Sequence, residues 1–291
     1  MTRYRVSHVT TYCYGEPVTV SHNVLHLAPI NTPRQRVESF TLNITPAPAV
    51  QHQRVDYFGN RVDFFTVQDQ HTELIVRAES VLEVEPAFAL DARITEAWEV
   101  VRDHLFHPNG DEEVRASEFR YDSPLVPTGP DYAAYALVSF TPNRPLLDAA
   151  LDLVRRIHVD FIYDPKATAV TTTVPEVFVK RRGVCQDFAH VGIACLRSIG
   201  LASRYISGYL ETAPPPGQIK LVGVDASHAW LSLWCPGIGW VGLDPTNDCL
   251  ASDRHLIVAV GRDFTDISPT KGVILGGGTH EVSAVVDVAR I

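Results

Sequence analysis

The sequence predicts an α+β chain in which an N-terminal β-sandwich precedes a helix that carries a cysteine, packed on an antiparallel sheet that carries a histidine and an aspartate. Three observations predict it. Alternating runs broken by turns fill residues 4–85, a helical apolar period begins at Cys185, and a Trp-rich hairpin runs from His228 to Asp244. Runs such as Ser39–Ile44 and Glu73–Ala78 alternate apolar and polar positions, and prolines and Phe58-Gly59-Asn60-Arg61 interrupt them at near-regular spacing. Short strands spaced in this way suggest a sandwich.

Residues 92–105 carry Trp98, Val101 and Leu105 at helical spacing, and residues 108–130 form a Pro-rich polar passage expected to link or wrap the domains. Leu146 to Val159 reads as a helix, with Asp148 and Asp152 on a different face from Leu147, Leu151 and Val154. Phe188, Val191, Cys195, Leu196 and Ile199 continue the period opened at Cys185 until Gly200 stops it. His228 to Trp234 alternates as a strand, Pro236-Gly237-Ile238-Gly239 turns the chain, and Trp240 to Leu243 returns antiparallel. Thr212 to Gly217 is too rich in proline for a strand interior and is expected as a loop near the cleft mouth. Gly276-Gly277-Gly278 lies between two β-like runs and reads as a turn, since it lacks the Gly-Lys-Ser/Thr end of a phosphate loop. The expected units are residues 1–90 for the sandwich, 91–130 for a helix and linker, and 131–291 for the catalytic domain with a C-terminal β extension.

The hairpin carries the chemistry. Its first strand starts where its second ends, so His228 and Asp244 become neighbours although 244 − 228 = 16 positions separate them. A carboxylate that holds one ring nitrogen leaves the other to face a thiol, which is the logic of a nucleophile, base and orienter. Cys185 opens its helix, where free N–H groups and the positive end of the helix dipole favour thiolate. Its own backbone N–H is a natural donor to a developing oxyanion. Cys195 lies inside the helix and is expected to be a core residue. Asp187 suits a first-turn carboxylate, and Arg181 and Arg182 suit a solvated face, with neutralisation of a substrate carboxylate as the alternative.

The motifs Gly183-Val184-Cys185-Gln186-Asp187-Phe188-Ala189, Ser227-His228-Ala229-Trp230 and Leu243-Asp244-Pro245-Thr246 resemble the bacterial branch of the transglutaminase-like superfamily, whose papain-related members carry Cys, His and Asp in this order. Phe161–Pro165 and Arg204–Leu210 are similar to that branch's core, Tyr4–Thr10 with Asp56–Asn60 to its β-rich N-terminal domain, and His255–Gly272 to the segment after the core. The resemblance covers nearly the whole chain. It implies a papain-like transglutaminase core with Cys185 as nucleophile, His228 as base and Asp244 as orienter, and no cofactor. Gln186, Asp187, Trp230 and Tyr163 are the candidates for oxyanion or substrate contacts; the Gln that papain-type enzymes place before the nucleophile has no counterpart in Phe178–Arg182.

Composition narrows the partners. A net charge of −9 and a pI near 5.7 argue against nucleic acid or an anionic membrane, because both demand basic patches. Hydrophobic residues at 45% and charged residues at 20% are those of a globular chain. The five cysteines form no Cys-x-x-Cys pair and there is no His-Glu-x-x-His, so no metal is expected; His22 and His26, four apart on a strand, lie too far apart to grip one ion. An odd cysteine count, with neither an apolar leader nor a membrane-length apolar run, suits the cytoplasm. The expectation is an acyl-transfer enzyme acting on a carboxamide, peptide or isopeptide bond through a Cys185 thioester, as a protease, amidase or deamidase. An amine-accepting transglutaminase and a non-catalytic peptide-binding module are the alternatives.

Overall fold

Alternation in the first 85 residues becomes five strands: β1 (Thr2–Leu25), β2 (Gln35–Thr45), β3 (Val50–Val55), β4 (Arg61–Val67) and β5 (His71–Val84). The computed structural model describes residues 1–86, 90–167, 172–212 and 227–291. Four helices follow, α1 (Trp98–Phe106), α2 (Asp111–Ser117), α3 (Pro130–Leu137) and α4 (Leu146–Asp160), then β6 (Ile162–Tyr163), α5 (Val174–Lys180), β7 (Arg182–Gly183) and α6 (Cys185–Ser198). The core sheet comprises β8 (Ser203–Leu210), β9 (Ser227–Cys235), β10 (Gly239–Asp244), β11 (Cys249–Leu250) and β12 (His255–Gly261), and β13 (Thr270–Gly276) and β14 (His280–Arg290) complete the chain.

The 24-residue β1 organises the N-terminal region. Residues 2–13 pair with β5 and residues 4–14 with β14, whereas residues 18–25 pair with β13 and residues 21–25 with β4. An irregularity between Cys13 and Val18 separates the two stretches. Each half has four strands, β2-β5-β1-β14 and β3-β4-β1-β13. Leu74 and Val76 of β5 share one buried cluster with Phe65 and Val67 of β4, so the two halves pack face to face as a sandwich joined by β1. Residues 270–290, expected as an extension of the catalytic domain, hydrogen-bond along β1 instead. Pairing over 245 (270 − 25) to 286 (290 − 4) positions leaves no local mark in sequence.

The passage 108–130 does more than link. It contains α2, and it buries Ala116, Phe119 and Val126 in the main core. Segment 213–217, expected as a loop at the cleft mouth, lies outside the described residues. Among the described residues no helix is long and apolar enough to cross a membrane.

In the core, α6 packs on one face of an antiparallel sheet ordered β11-β10-β9-β8-β12. Alternate residues of β9, Ala229, Leu231 and Leu233, join the cluster that holds Phe188, Val191 and Cys195 of α6, whereas Trp230 clusters with Ile206 and Val260 on the other face. The edge strand β12 is closed by two side-chain amides from the N-terminal region. Gln35 exchanges hydrogen bonds with both backbone groups of Ile257 at 2.7 and 2.8 Å, and Asn60 does the same for Val260 at 2.7 and 2.9 Å. Each carboxamide thus offers the donor and acceptor of one further strand residue, which protects the edge and locks the two regions together. Asn60→Ala leaves two buried backbone groups without partners. A loss of about 2–6 kcal/mol in unfolding free energy is expected, at ~1–3 per orphaned group, and a urea midpoint within error of wild type would contradict the lock.

Candidate active site

The turn before α6 explains the motif around the cysteine. Helix α5 ends at Arg181 in the left-handed region at φ 53°, and the chain then pairs Gly183 with Tyr163 in a short parallel bridge. A Cβ on Gly183 would lie 2.8 Å from Asp187 Cβ, so only glycine lets the strand pass this close to the helix. Asp187 uses that proximity: its Oδ2 accepts the Val184 N–H at 2.8 Å and caps the first turn. Cys185 is left as the first helical residue, where backbone N–H groups lack intrahelical acceptors.

Across the cleft, β9 and β10 bring His228 Nε2 to 2.7 Å from Asp244 Oδ2. The remaining Nδ1 is free for the Cys185 thiol, which is among the hydrogen-bonding groups acting on the ring. Asp244 is fully buried and accepts five hydrogen bonds. Oδ2 takes those of His228, Asn247 Nδ2 at 2.7 Å and His255 Nε2 at 3.1 Å; Oδ1 takes the N–H groups of Thr246 at 2.9 Å and Asn247 at 3.2 Å. His255 Nδ1 in turn accepts the Ser252 N–H at 3.1 Å, which assigns the proton to the Nε2 that faces Asp244. Trp230 stacks on His228 at 5.9 Å between ring centroids and meets His255 edge-on at 5.2 Å, bracing both imidazoles.

Burial works against charge at both partners, and their contacts overcome it. Desolvation pulls the His228 pKa down, but hydrogen bonds and charge from Asp244 and Cys185 raise it to about 9. Burial would raise the Asp244 carboxyl, yet its hydrogen bonds from His228, His255 and Asn247 and the His228 charge hold it well below the usual carboxylate range. A histidine whose folded pKa lies above its ordinary 6.5 stabilises the fold fully below about pH 6.5, and that contribution fades as pH rises through about 9. The stability difference between wild type and His228→Gln is therefore expected to shrink between pH 6.5 and 10. Urea titrations at several pH values check this, and a constant difference would contradict it.

The four candidate contact residues fall in different places. Tyr163 is 52% exposed beside Cys185; burial first and the cysteine's charge second raise its phenol pKa. Gln186 is half-buried on the first turn, and no hydrogen bond among the described residues fixes its amide. Asp187 is buried as a cap, and Trp230 is fully buried as a brace. Of the two arginines expected on a solvated face, Arg182 is exposed and pairs with Asp164 at 3.3 Å. Arg181 instead covers the rings of Tyr135, Phe161 and Phe178 at 4.3–4.7 Å, because the left-handed turn directs it back onto the core. Sequence reasoning missed Asn247 and His255. The first could have been found as the third residue beyond Asp244 in an Asx-type turn; the second arrives from a non-neighbouring strand.

Among the described residues, His228, Asp244 and His255 form the one group of three potential metal-ligating side chains, with ligand atoms within 4.8 Å. Both Nε2 atoms point at the same carboxylate oxygen, so an ion there would have to displace these hydrogen bonds. His22 and His26 bond apart, to Thr66 Oγ1 at 2.9 Å and the Ser268 carbonyl at 3.1 Å.

A papain-like core with a thiol, an imidazole and a carboxylate gathered in this way belongs to the cysteine-dependent enzymes. Comparison with known proteins places the chain more closely. Residues 4–83 match the family described as the bacterial transglutaminase-like N-terminal region, and residues 134–245 match the transglutaminase-like superfamily core. An uncharacterised protein of Mycobacterium tuberculosis is 40% identical over 294 residues, covering 99% of this chain and 91% of the relative. An uncharacterised protein of Mycobacterium leprae is 34% identical over the whole of both chains. A protein-glutamine gamma-glutamyltransferase of Pseudomonas aeruginosa is 36% identical over 103 residues, 34% of this chain and 15% of that one. The crystal structure of a proposed cysteine protease from Cytophaga hutchinsonii shares the fold, with a TM-score of 0.79 at 18% identity over 100% of this chain and 91% of that one. The chain belongs to the transglutaminase-like superfamily, in the bacterial branch that carries this N-terminal region.

Proposed function

We propose that the chain hydrolyses a carboxamide, peptide or isopeptide bond through a thioester on Cys185. With its pKa near 9, His228 already holds the proton given up by the Cys185 thiol, and the Cys185 thiolate attacks the carbonyl carbon. The imidazolium, held by Asp244, then protonates the nitrogen that leaves as amine or ammonia. Water attacks the thioester, gives its proton to His228 and returns the thiol. The observation that carries this reading is the hydrogen-bonded series Cys185, His228, Asp244 at the start of α6. The Cys185 N–H, with Tyr163 beside it, is the proposed donor set for the oxyanion. Cys185 is itself part-exposed, which leaves its thioester within reach of water and favours hydrolysis. Similarity to a gamma-glutamyltransferase supports a second reading, transfer of a glutaminyl acyl group to a primary amine.

Thiol labelling tests the nucleophile. Burial pushes Cys195 and Cys235 up to about 12, and burial with nearby carboxylates pushes Cys249 up to about 11. Iodoacetamide near pH 6 is expected to modify Cys185 ahead of these three and of exposed Cys13, and His228→Ala to slow that modification. Equal, slow labelling of all five cysteines would favour a non-catalytic binding module. With a blocked glutaminyl peptide, wild type is expected to release ammonia and Cys185→Ala to release none. Amine incorporation outpacing hydrolysis when a primary amine is added would transfer the assignment to the second reading.

A further inference from the structure

The face of the core sheet turned away from α6 meets the N-terminal region around a cavity of about 310 Å³. Its walls include the rings of Trp234 and Trp240 with Ile206 and Ile257, and Arg204 of β8 stands among them. An arginine here is anomalous, because β8 otherwise presents apolar or small residues to this face, Ile206 and Gly208.

Arg204 is incompletely satisfied. Its Nε donates to Ser232 Oγ at 3.0 Å, and its guanidinium lies 4.3 Å from the centre of the Trp240 ring. These contacts orient the fork, yet among the described residues no acceptor takes the Nη protons and no carboxylate pairs with the charge. Desolvation alone pushes its pKa down to about 9. Arg197, the other strongly desolvated arginine, shows what a structural role looks like. It donates to the carbonyls of Phe119, Ser203 and Arg262 and to Ser123 Oγ, with the charge of Asp263 nearby. Two further donors on the cavity wall, the indole N–H groups of Trp230 and Trp234, also have no acceptor. Arg204 is part-buried and its Nη groups keep some exposure, so an oriented fork with free Nη donors matches the two oxygens of an incoming carboxylate.

We propose that this cavity binds a small organic monocarboxylate with an aromatic or branched apolar body, its carboxylate held by the Arg204 fork and its body against Trp234 and Trp240. Arg34 and Glu112 also line the cavity and offset one another in charge, so the unpaired charge of Arg204 calls for one negative charge. The apolar walls disfavour an inorganic anion, and the volume lies at the lower end of the ~300–1,000 Å³ of ligand sites.

Three of the four tryptophans, Trp230, Trp234 and Trp240, line the cavity, so their fluorescence reports occupancy. A panel of aryl and branched monocarboxylates headed by 3-phenylpropionate is titrated into the full chain. Saturable quenching is expected, with binding at least tenfold weaker for 3-phenylpropionamide, acetate and inorganic phosphate. Arg204→Met is expected to abolish the quenching while leaving the melting temperature unchanged or higher, because it removes a partly desolvated charge that has no ionic partner. Arg204→Lys, which keeps charge but not the fork, is expected to bind at least tenfold more weakly and serves alone if the methionine variant does not fold. No saturable quenching by any acid of the panel would overturn the proposal, as would undiminished binding in either variant. Phosphate binding as tightly as the acids would overturn it too.

Discussion

Asp244→Asn is expected to lower turnover on amide substrates by roughly 10³–10⁴-fold, the range seen when the orienting carboxylate of a nucleophile–base pair becomes an amide. The reason is specific to this site. All five partners of the Asp244 oxygens are donors: His228, His255 and the Asn247 side chain on Oδ2, and two backbone N–H groups on Oδ1. An asparagine must turn its own N–H₂ toward one set or the other. Directed at Oδ2's partners it confronts His228 itself, which then loses both the preference for its Nε2–H tautomer and the charge that keeps its pKa near 9. Directed at the turn, it disrupts the loop that carries Asn247. Stability is therefore expected to fall together with activity, by about 3–5 kcal/mol for breaking a buried ionic pair. Steady-state kinetics and urea unfolding of the same preparation check both effects. Turnover within tenfold of wild type would show that His228 needs no orienter.

Gly208→Ala is expected to destabilise the fold at the upper end of the ~1–3 kcal/mol typical of overpacking, or beyond it. Gly208 lies opposite His228 on β9 and opposite Ile257 on β12, in the middle of the sheet. A Cβ there would meet the Leu256 carbonyl oxygen and come within 2.6 Å of the Trp230 ring. The first neighbour is backbone and cannot change rotamer. The second braces His228 and His255, so relief on that side tilts the His228 ring away from Asp244. A fall in turnover larger than the fraction unfolded explains is the expected signature. Gly237, with open space around its Cβ position, is the comparison: substitution there meets only the strain of φ +71°. Equal small losses at both positions would mean that Trp230 is not pressed against the strand.

Much of the site was legible because its determinants are local. Cys185 opens a helix since Gly183 and Asp187 lie within two residues of it, and His228 meets Asp244 since a tight turn folds one strand onto the next. What stayed hidden depends on strands far apart in the chain. His255 reaches Asp244 from β12, which neighbours β8 rather than the hairpin, and Arg181 leaves the solvent because a left-handed turn places three aromatic rings beneath it. Residues 270–290 alternate like any strand, and alternation carries no information about which partner will accept its hydrogen bonds.

By itself the sequence determined the α+β class, the helices that begin at Trp98, Leu146 and Cys185, the hairpin from His228 to Asp244, and the identity and order of thiol, imidazole and carboxylate, because periodicity, caps and turns act over a few residues. Only the tertiary structure decided that β1 would pair with the chain's last two strands, that Gln35 and Asn60 would close the edge of the core sheet, and that Arg204 would stand without a counter-charge against a largely apolar cavity. Each of these depends on which distant surfaces exclude water from one another, and that is settled when the whole chain packs.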